Sequence, residues 1–358
     1  MAAIAVNGTS RARARRVTPA GLGRFLGRRL GIGVILVIGV TLVAFILTHL
    51  IPGDPAAANL GQGALGDPAI VKAFYHEYGL DKPLVDQYLI YLWKLLHGNL
   101  GISEHSHQAV SSDLRQYFPA TIELALFAIV VSIVVGVSAG VFAAVRRGHA
   151  VDGGLRVFSL LGVSMPIFWV ALFAFYIFYY RLGWLPSGGR LSPGLSPPGT
   201  ITGLYTVDSL LHGQWSLFVN AFQHLILPGL VLGIFTVGVV FRFTRASVLE
   251  VINNDYVRAA RAKGLSEWTV IRRHVMRPAL LPILTVAGLA FGNLLSGTVL
   301  VESIFSWPGI GNYAYISAIN LDLPAIMGVS IVVAIVYIFI NLLVDLSYSI
   351  LDPRIALR

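Results

Sequence analysis

The residues with chemistry to offer cluster between Asp255 and Pro282, in the stretch DYVRAARAKGLSEWTVIRRHVMRPALLP. Arg258, Arg261, Lys263, Arg272, Arg273 and Arg277 fall within it, and His274 stands among them. No Gly-x-x-x-x-Gly-Lys-Ser/Thr occurs in the chain, so it has no phosphate-cradling loop of its own. No nucleophile and base stand in a catalytic constellation, and no catalytic residue is assigned. The histidines offer one close pair, His105-x-His107, too weak a pattern to assign a metal site. Cysteine is absent, which excludes disulfides and thiolate metal sites. What the basic stretch can do is dock. Asp255 suits a helix N-cap, and Ala259, Ala260 and Ala262 favour helix through Lys263. Gly264 can stop that helix in the left-handed conformation at no Cβ cost. Ser266 can cap a second helix, with Glu267 favourable in its first turn. A short helix, a glycine bend and a second helix on a membrane surface form a knob that suits a soluble partner. A plain positive anchor on anionic lipid would need neither caps nor bend.

The elements that must carry this knob are read from hydropathy. Of 358 residues, 56% are hydrophobic and 12% charged, about half the charged share of a soluble domain. The fold class is all-α integral membrane. About 20 apolar residues cross a bilayer as a helix. That rule predicts six transmembrane helices, near Leu30 to Ile51, Thr121 to Val145, Val157 to Tyr180, Leu225 to Phe241, Ala279 to Val301 and Ala325 to Tyr348. The first run is too long for the apolar region of a secretory signal, for all that Ala56-Ala57-Ala58 imitates a cleavage site. Twenty of the 26 Lys and Arg fall on the side of the N-terminal tail and the basic stretch. The positive-inside rule then makes both termini cytoplasmic. It also accounts for the net charge of +9 without nucleic acid.

The expected organisation is a basic tail over 1–29, a first span over 30–51 and an external segment over 52–118. A five-helix core then covers 119–348, with an external loop at 182–223 and a cytoplasmic loop at 242–278. A cytoplasmic C-terminus covers 349–358. In the external segment, Ile70 to Tyr78 and Leu84 to Leu96 read as short amphipathic helices. Their aromatics suit a membrane interface or a packed cap. The 182–223 loop, rich in Gly, Pro and Ser, reads as irregular. Glycines four apart at Gly136/Gly140, Gly229/Gly233 and Gly288/Gly292 let helices approach closely, within the subunit or against a second one. Asn293, Ser296, Thr298 and Ser132 are polar residues inside spans. They are candidates for lining a translocation path, with interhelical hydrogen bonding as the other reading. Glu123, Glu302 and Asp345, near span ends, read as caps or ion pairs.

The basic stretch resembles the cytoplasmic coupling loop of permease subunits in ATP-binding-cassette importers. That family's pattern is an acidic-Ala-Ala start, a Gly four residues after the second Ala and a later Ile-x-Leu-Pro-like end. Here Ala259, Ala260 and Gly264 keep the spacing, and His274 to Pro278 stands where the end belongs. Arg258 replaces the acidic residue, a variant similar to the peptide and nickel branch. Further landmarks fall in order. They are Arg28-Arg29-Leu30 leading to Pro52-Gly53-Asp54-Pro55, and Tyr78-Gly79-Leu80-Asp81-Lys82-Pro83 with Gln87-Tyr88 and Gly98-Asn99-Leu100-Gly101. Asn99 departs from a more usual Asp. Glu302 to Phe305, Pro308-Gly309-Ile310-Gly311 and Asp352-Pro353-Arg354-Ile355 complete the set.

The resemblance implies a type I importer permease of the MetI-like fold, the first of two permeases in a bacterial peptide importer of the cytoplasmic (inner) membrane. It implies a second homologous permease, two ATPase subunits that bind ATP and magnesium, and an extracytoplasmic substrate-binding protein. The implied substrate is a di- or oligopeptide, with nickel, glutathione or an oligosaccharide as alternatives on the same scaffold. The implied coupling residues are Asp255, Tyr256, Arg258, Ala259, Ala260, Lys263, Gly264, Arg273 and His274. An ion-coupled secondary carrier is the rival from another class, disfavoured because the charged residues avoid mid-span. An intramembrane enzyme is the other, disfavoured by the missing catalytic constellation.

Overall fold

The computed structural model describes residues 19–50, 66–79 and 81–351. The tail before Pro19, the Pro52-Gly53-Asp54-Pro55 exit, Leu80 and the Asp352 to Ile355 motif lie outside the described residues, as does the side chain of Ser296. The described chain is helical: α1 (Pro19–Leu50), α2 (Pro68–Tyr78), α3 (Leu84–Leu96), α4 (Val110–Val145), α5 (Ala150–Ser164) and α6 (Ile167–Ala174), which continues as a π-helical turn over Phe175–Arg181. Then come α7 (Tyr205–Leu211), α8 (Trp215–Ile252), α9 (Asp255–Ala262) and α10 (Glu267–Thr269). A second π stretch, Val270–Val275, joins α10 to α11 (Met276–Ile304), followed by α12 (Ile310–Ile319) and α13 (Leu323–Leu351).

Among the described residues, five helices are long and apolar enough to cross a membrane, or six if the pair α5 and α6 counts as one span. That pair replaces the single helix expected near Val157 to Tyr180. The two halves meet at 103°. Pro166 has no N–H to continue the ladder and forces Met165 into an extended conformation (φ −80°, ψ 133°). Other spans are longer than their apolar runs. α8 has 38 residues, about 57 Å at 1.5 Å each, well beyond the ~30 Å hydrocarbon core. It therefore carries Arg242 and Arg245 out at one end and Trp215 at the other. We call the end holding α9 the basic end.

The centre of the bundle is α4 packed on α8. A Cβ on Gly136 would meet Val240 at 2.9 Å, and one on Gly140 would meet Thr244 at 2.7 Å. Gly233 approaches the Ala128 carbonyl, Gly229 takes the ring of Phe127, and Gly288 and Gly292 take Val344 and Tyr337 of α13. All three glycine pairs are thus filled from within the chain. α1 packs along α13, tied at the basic end by Arg29 to Asp345 (2.7 Å). α2 and α3 form as expected from their periodicity, α3 lying against α1 through Tyr88 and Thr41 (3.0 Å), with Asp67 capping α2 through the Ala69 N–H (2.9 Å).

Two helices were not expected. α7 lies in the loop read as irregular, and α12 begins at Ile310, inside the Pro308-Gly309-Ile310-Gly311 signature. Asp208 explains the first. Its carboxylate accepts from the N–H groups of Ile201, Thr202 and Gly203 and from the Thr202 hydroxyl, folding the loop onto the helix.

Candidate functional site

At the basic end the chain leaves α8 through Asn253 and Asn254. Asn254, not Asp255, is the N-cap of α9, extended at φ −67°, ψ 150°. Asp255 is the first helical residue and pairs instead with Arg258 across one turn. α9 is two-sided, as period 3.6 requires. Val257 and Ala260 face inward and are buried with Val248, Val251, Val270, Val275 and Ala279. Tyr256, Arg258, Ala259 and Lys263 face outward and are exposed.

Gly264 ends the helix in the left-handed conformation, φ +77°, donating to the Arg261 carbonyl at 2.9 Å. A Cβ there would meet nothing within 4 Å, so its constraint is backbone conformation and not space. Arg261 closes the bend from outside with a bond from Nε to Glu267 Oε1 (2.7 Å). Ser266 stands at the N-cap of α10 but bonds the Thr269 hydroxyl (2.9 Å) instead of a backbone N–H.

The second leg of the bend is not a separate helix. From Glu267 it runs through the π stretch into α11, so the knob is the direct continuation of a span. The widened turn ends just before Pro278, whose ring would crowd the His274 carbonyl in a regular α-helix. Arg273 is exposed and His274 half-buried in this stretch. All nine residues expected in coupling thus sit on one compact structure. Ala260 is its packed inner face, and Asp255, Tyr256, Arg258, Ala259, Lys263 and Gly264 its outer rim.

Sequence reasoning missed a brace beside it. Asp152 of α5, buried, accepts from Arg245 of α8 at 2.7 and 2.9 Å and from the Gly148 N–H at 3.3 Å. Gly238 lets α5 touch α8 two turns further in, against the Ser159 carbonyl. α5 and the end of α8 that feeds the bend are therefore joined. The signal was present only as one acid and one arginine 93 residues apart.

The path candidates are not together. Ser132 is buried between α4 and α8 and donates to the Ala128 carbonyl (2.7 Å), with the Gly233 carbonyl at 3.1 Å. Thr298 is buried beneath Gly311. Asn293 is exposed on α11.

The opposite end is closed by buried polar groups bonded to one another, with Arg190 Nε left without a partner. Glu302 is fully buried and accepts from the Thr121 hydroxyl (2.7 Å) and the Asn312 N–H (2.8 Å). Thr121 Oγ1 in turn accepts from the Ile310 N–H (2.8 Å), and Trp307 donates through Nε1 to the Ala120 carbonyl (2.9 Å). Glu123 meets Arg190 at 2.6 Å, and Thr206 donates to the same carboxylate through its N–H and hydroxyl. The Arg190 guanidinium also lies 3.4 Å from the centre of the Tyr205 ring. At Asp208, burial alone would push the carboxyl up. The hydrogen bonds from Thr202, Gly203 and Ile201 outweigh it and hold the group below the usual carboxylate range.

Residues 136–357 match the family model described as binding-protein-dependent transport system inner membrane component, and residues 22–125 match the model of its N-terminal part. The chain belongs to this family. It is similar to the dipeptide transport system permease protein DppB of Alkalihalophilus pseudofirmus, at 44% identity over 329 residues, covering 92% of this chain and 98% of the relative. It is equally similar to the di/tripeptide transport system permease protein DppB of Pseudomonas aeruginosa, at 44% over 333 residues with the same coverage. A solved structure of the MetNI methionine ABC transporter in inward-facing conformations aligns with TM-score 0.46 and 15% identity, over 65% of this chain and 93% of that one. As a member of an inner-membrane transport family, the chain is a permease subunit, and the carrier and intramembrane-enzyme readings fall away.

Proposed function

We propose that this permease subunit imports di- or oligopeptides, paired with a second homologous permease and driven by two ATPases that bind ATP and magnesium. An extracytoplasmic binding protein would deliver the peptide. The relatives' peptide specificity supports the substrate class. The charge asymmetry supports cytoplasmic termini and a cytoplasmic basic end. The observation that carries the coupling role is the exposed rim of α9 closed by Gly264 at φ +77° and continuous with α11. Asp255, Tyr256, Arg258, Ala259, Lys263 and Gly264 meet the ATPases there, Ala260 anchors the rim to the bundle, and Arg273 and His274 form its base. Nucleotide-driven movement of the rim reaches α11 directly through the π stretch. It reaches α8 and α5 through the Arg245–Asp152 brace. The opposite end, clasped by Glu302 and Glu123, is the rigid outer rim of the path, and Asn293 is its lining candidate on α11.

The test is reconstitution of the chain with the second permease, the ATPases and the binding protein. Peptide-loaded binding protein should stimulate ATP hydrolysis, and the chain alone should bind no nucleotide. Stoichiometric nucleotide binding by the isolated chain, or hydrolysis indifferent to peptide, would overturn the reading. Orientation is checked by single cysteines at Ser196 and Ser266, both exposed and on opposite ends. Ser103 and Ser209 are buried and would not report.

A further inference from the structure

The second leg of the bend carries a face that the coupling rim shares only through Arg273 at its base. Over Val270–Val275 the helix is wound as a π turn, so residues five apart come into register. Trp268 then aligns with Arg273, and Arg272 with Arg277. These four, with Thr269 and Leu280, line a cleft of about 560 Å³. Among the described residues no carboxylate lies within ion-pair distance of Arg272, Arg273 or Arg277. The segment's own acids are engaged elsewhere, Asp255 by Arg258 and Glu267 by Arg261. Three guanidiniums around one cleft repel each other, and the arrangement fits an anion that bridges them. Arg forks match phosphate oxygens in particular.

The rest of the lining narrows the ligand. Trp268 is 69% exposed, and Leu280 lies in the first turns of α11, where the apolar span begins. A free anion has no use for an exposed indole and a leucine. An amphiphile has, because its phosphate and its glycerol and acyl region enter side by side. Tryptophan also sits preferentially at headgroup level. We propose that this cleft binds an anionic phospholipid. Its phosphate lies among Arg272, Arg273 and Arg277, and its apolar shoulder on Trp268 and Leu280. The proposal rests on the orientation argued above, which puts the cleft at the cytoplasmic leaflet. The bound lipid holds the second leg of the bend at the membrane surface, while the first leg stays available to the ATPases.

The test uses the intact importer, purified in detergent and read by native mass spectrometry during titration with phosphatidylglycerol, phosphatidylcholine or inorganic phosphate. The double variant Arg272→Gln/Arg277→Gln should retain phosphatidylglycerol about 30-fold more weakly, from two basic contacts at the membrane surface. Phosphatidylcholine binding should not change, and the ATPases should still copurify. Equal retention of phosphatidylglycerol by parent and variant would overturn the proposal. Displacement of the lipid by inorganic phosphate at equal concentration would overturn it as well, and would make the cleft a free-anion site. Loss of the ATPases with lipid retained would assign the arginines to protein docking instead. A second measurement avoids substitution altogether. In the parent complex, phosphatidylglycerol but not phosphatidylcholine should protect Arg272 and Arg277 from phenylglyoxal, and modification indifferent to lipid would count against the site. Gly264→Val separates this proposal from the coupling role, since it should lose the ATPases and keep the lipid.

Discussion

Glu302 and Arg261 both lie where a long apolar helix ends, yet their surroundings are opposite. Glu302 is sealed from solvent, and its carboxylate is filled by Thr121 and Asn312. Arg261 reaches across a surface bend to Glu267, which is 60% exposed. The same contrast holds for whole regions. At Glu302, Glu123 and Arg190, polar groups are buried and bonded to segments up to 189 residues apart, from the Thr121 to Ile310 bond downward. At the basic end α9 buries only Val257 and Ala260 and turns its charged side chains outward, with the Asp152–Arg245 pair as the one buried brace described beside it. Buried polar networks are costly to break because each lost partner strands another. Exposed pairs contribute little to stability. The difference suits one end to a rigid frame and the other to the contact role proposed for it.

Substitutions can break or sharpen this contrast. The largest loss is expected for Glu123→Ala, which leaves the Arg190 guanidinium buried and uncompensated. It should cost about 3 to 5 kcal/mol, read as thermal unfolding in detergent. Replacing both partners with apolar residues, as Glu123→Leu/Arg190→Met, should recover much of that. If the single variant unfolds like the parent, the frame is not held by this pair. Gly309→Ala comes next. Its Cβ would run into the Glu302 carboxylate and the Thr121 hydroxyl, both fixed by other bonds, at a cost of about 1 to 3 kcal/mol.

A smaller effect is expected at Asp208. Its carboxyl titrates lower in the fold than in the open chain, so the folded state holds its proton less tightly. Its contribution is complete above the ordinary carboxylate pKa and is lost as pH falls through the folded value. Asp208→Asn should flatten that part of the acid limb of the stability curve, with its full loss seen at pH 7, where the carboxylate's hydrogen bonds are complete, and none below the folded pKa. An unchanged acid limb would remove Asp208 from the frame. Gly264→Val should change global stability least, since no atom waits within 4 Å of the new Cβ and the exposed bend can give way locally to relieve the backbone strain.

Much of this was legible in the sequence because it rests on local rules. Apolar length placed the spans, and periodicity placed α2 and α3. Helix formers followed by glycine placed the bend, down to the left-handed Gly264. The glycine pairs announced close packing because no other residue gives up so much side chain inside a span. What stayed hidden was long-range or overridden. Arg190 read as one more external cation, and only folding brings it to Glu123, 67 residues away. Pro166 was visible, but the apolar run around it passed for a single span, and the 103° bend depends on how α5 packs on α8. Asp255 read as the cap, but the helix begins at Asp255 itself and Asn254 takes the cap position, with no side-chain bond to the backbone. The π stretch has no period of its own to detect over six residues.

The central claim is that the exposed bend, and not the buried frame, is where the subunit meets its energy source. The most direct measurement compares parent, Gly264→Val and Gly264→Asn in reconstituted membranes. It follows copurification of the ATPases and hydrolysis stimulated by peptide-loaded binding protein. Asn tolerates the left-handed conformation and a β-branched residue does not, at a local cost of about 1 to 3 kcal/mol. The account predicts that the valine variant inserts and unfolds like the parent but loses the ATPases or their stimulation, while the asparagine variant keeps both. A valine variant that couples like the parent would contradict it.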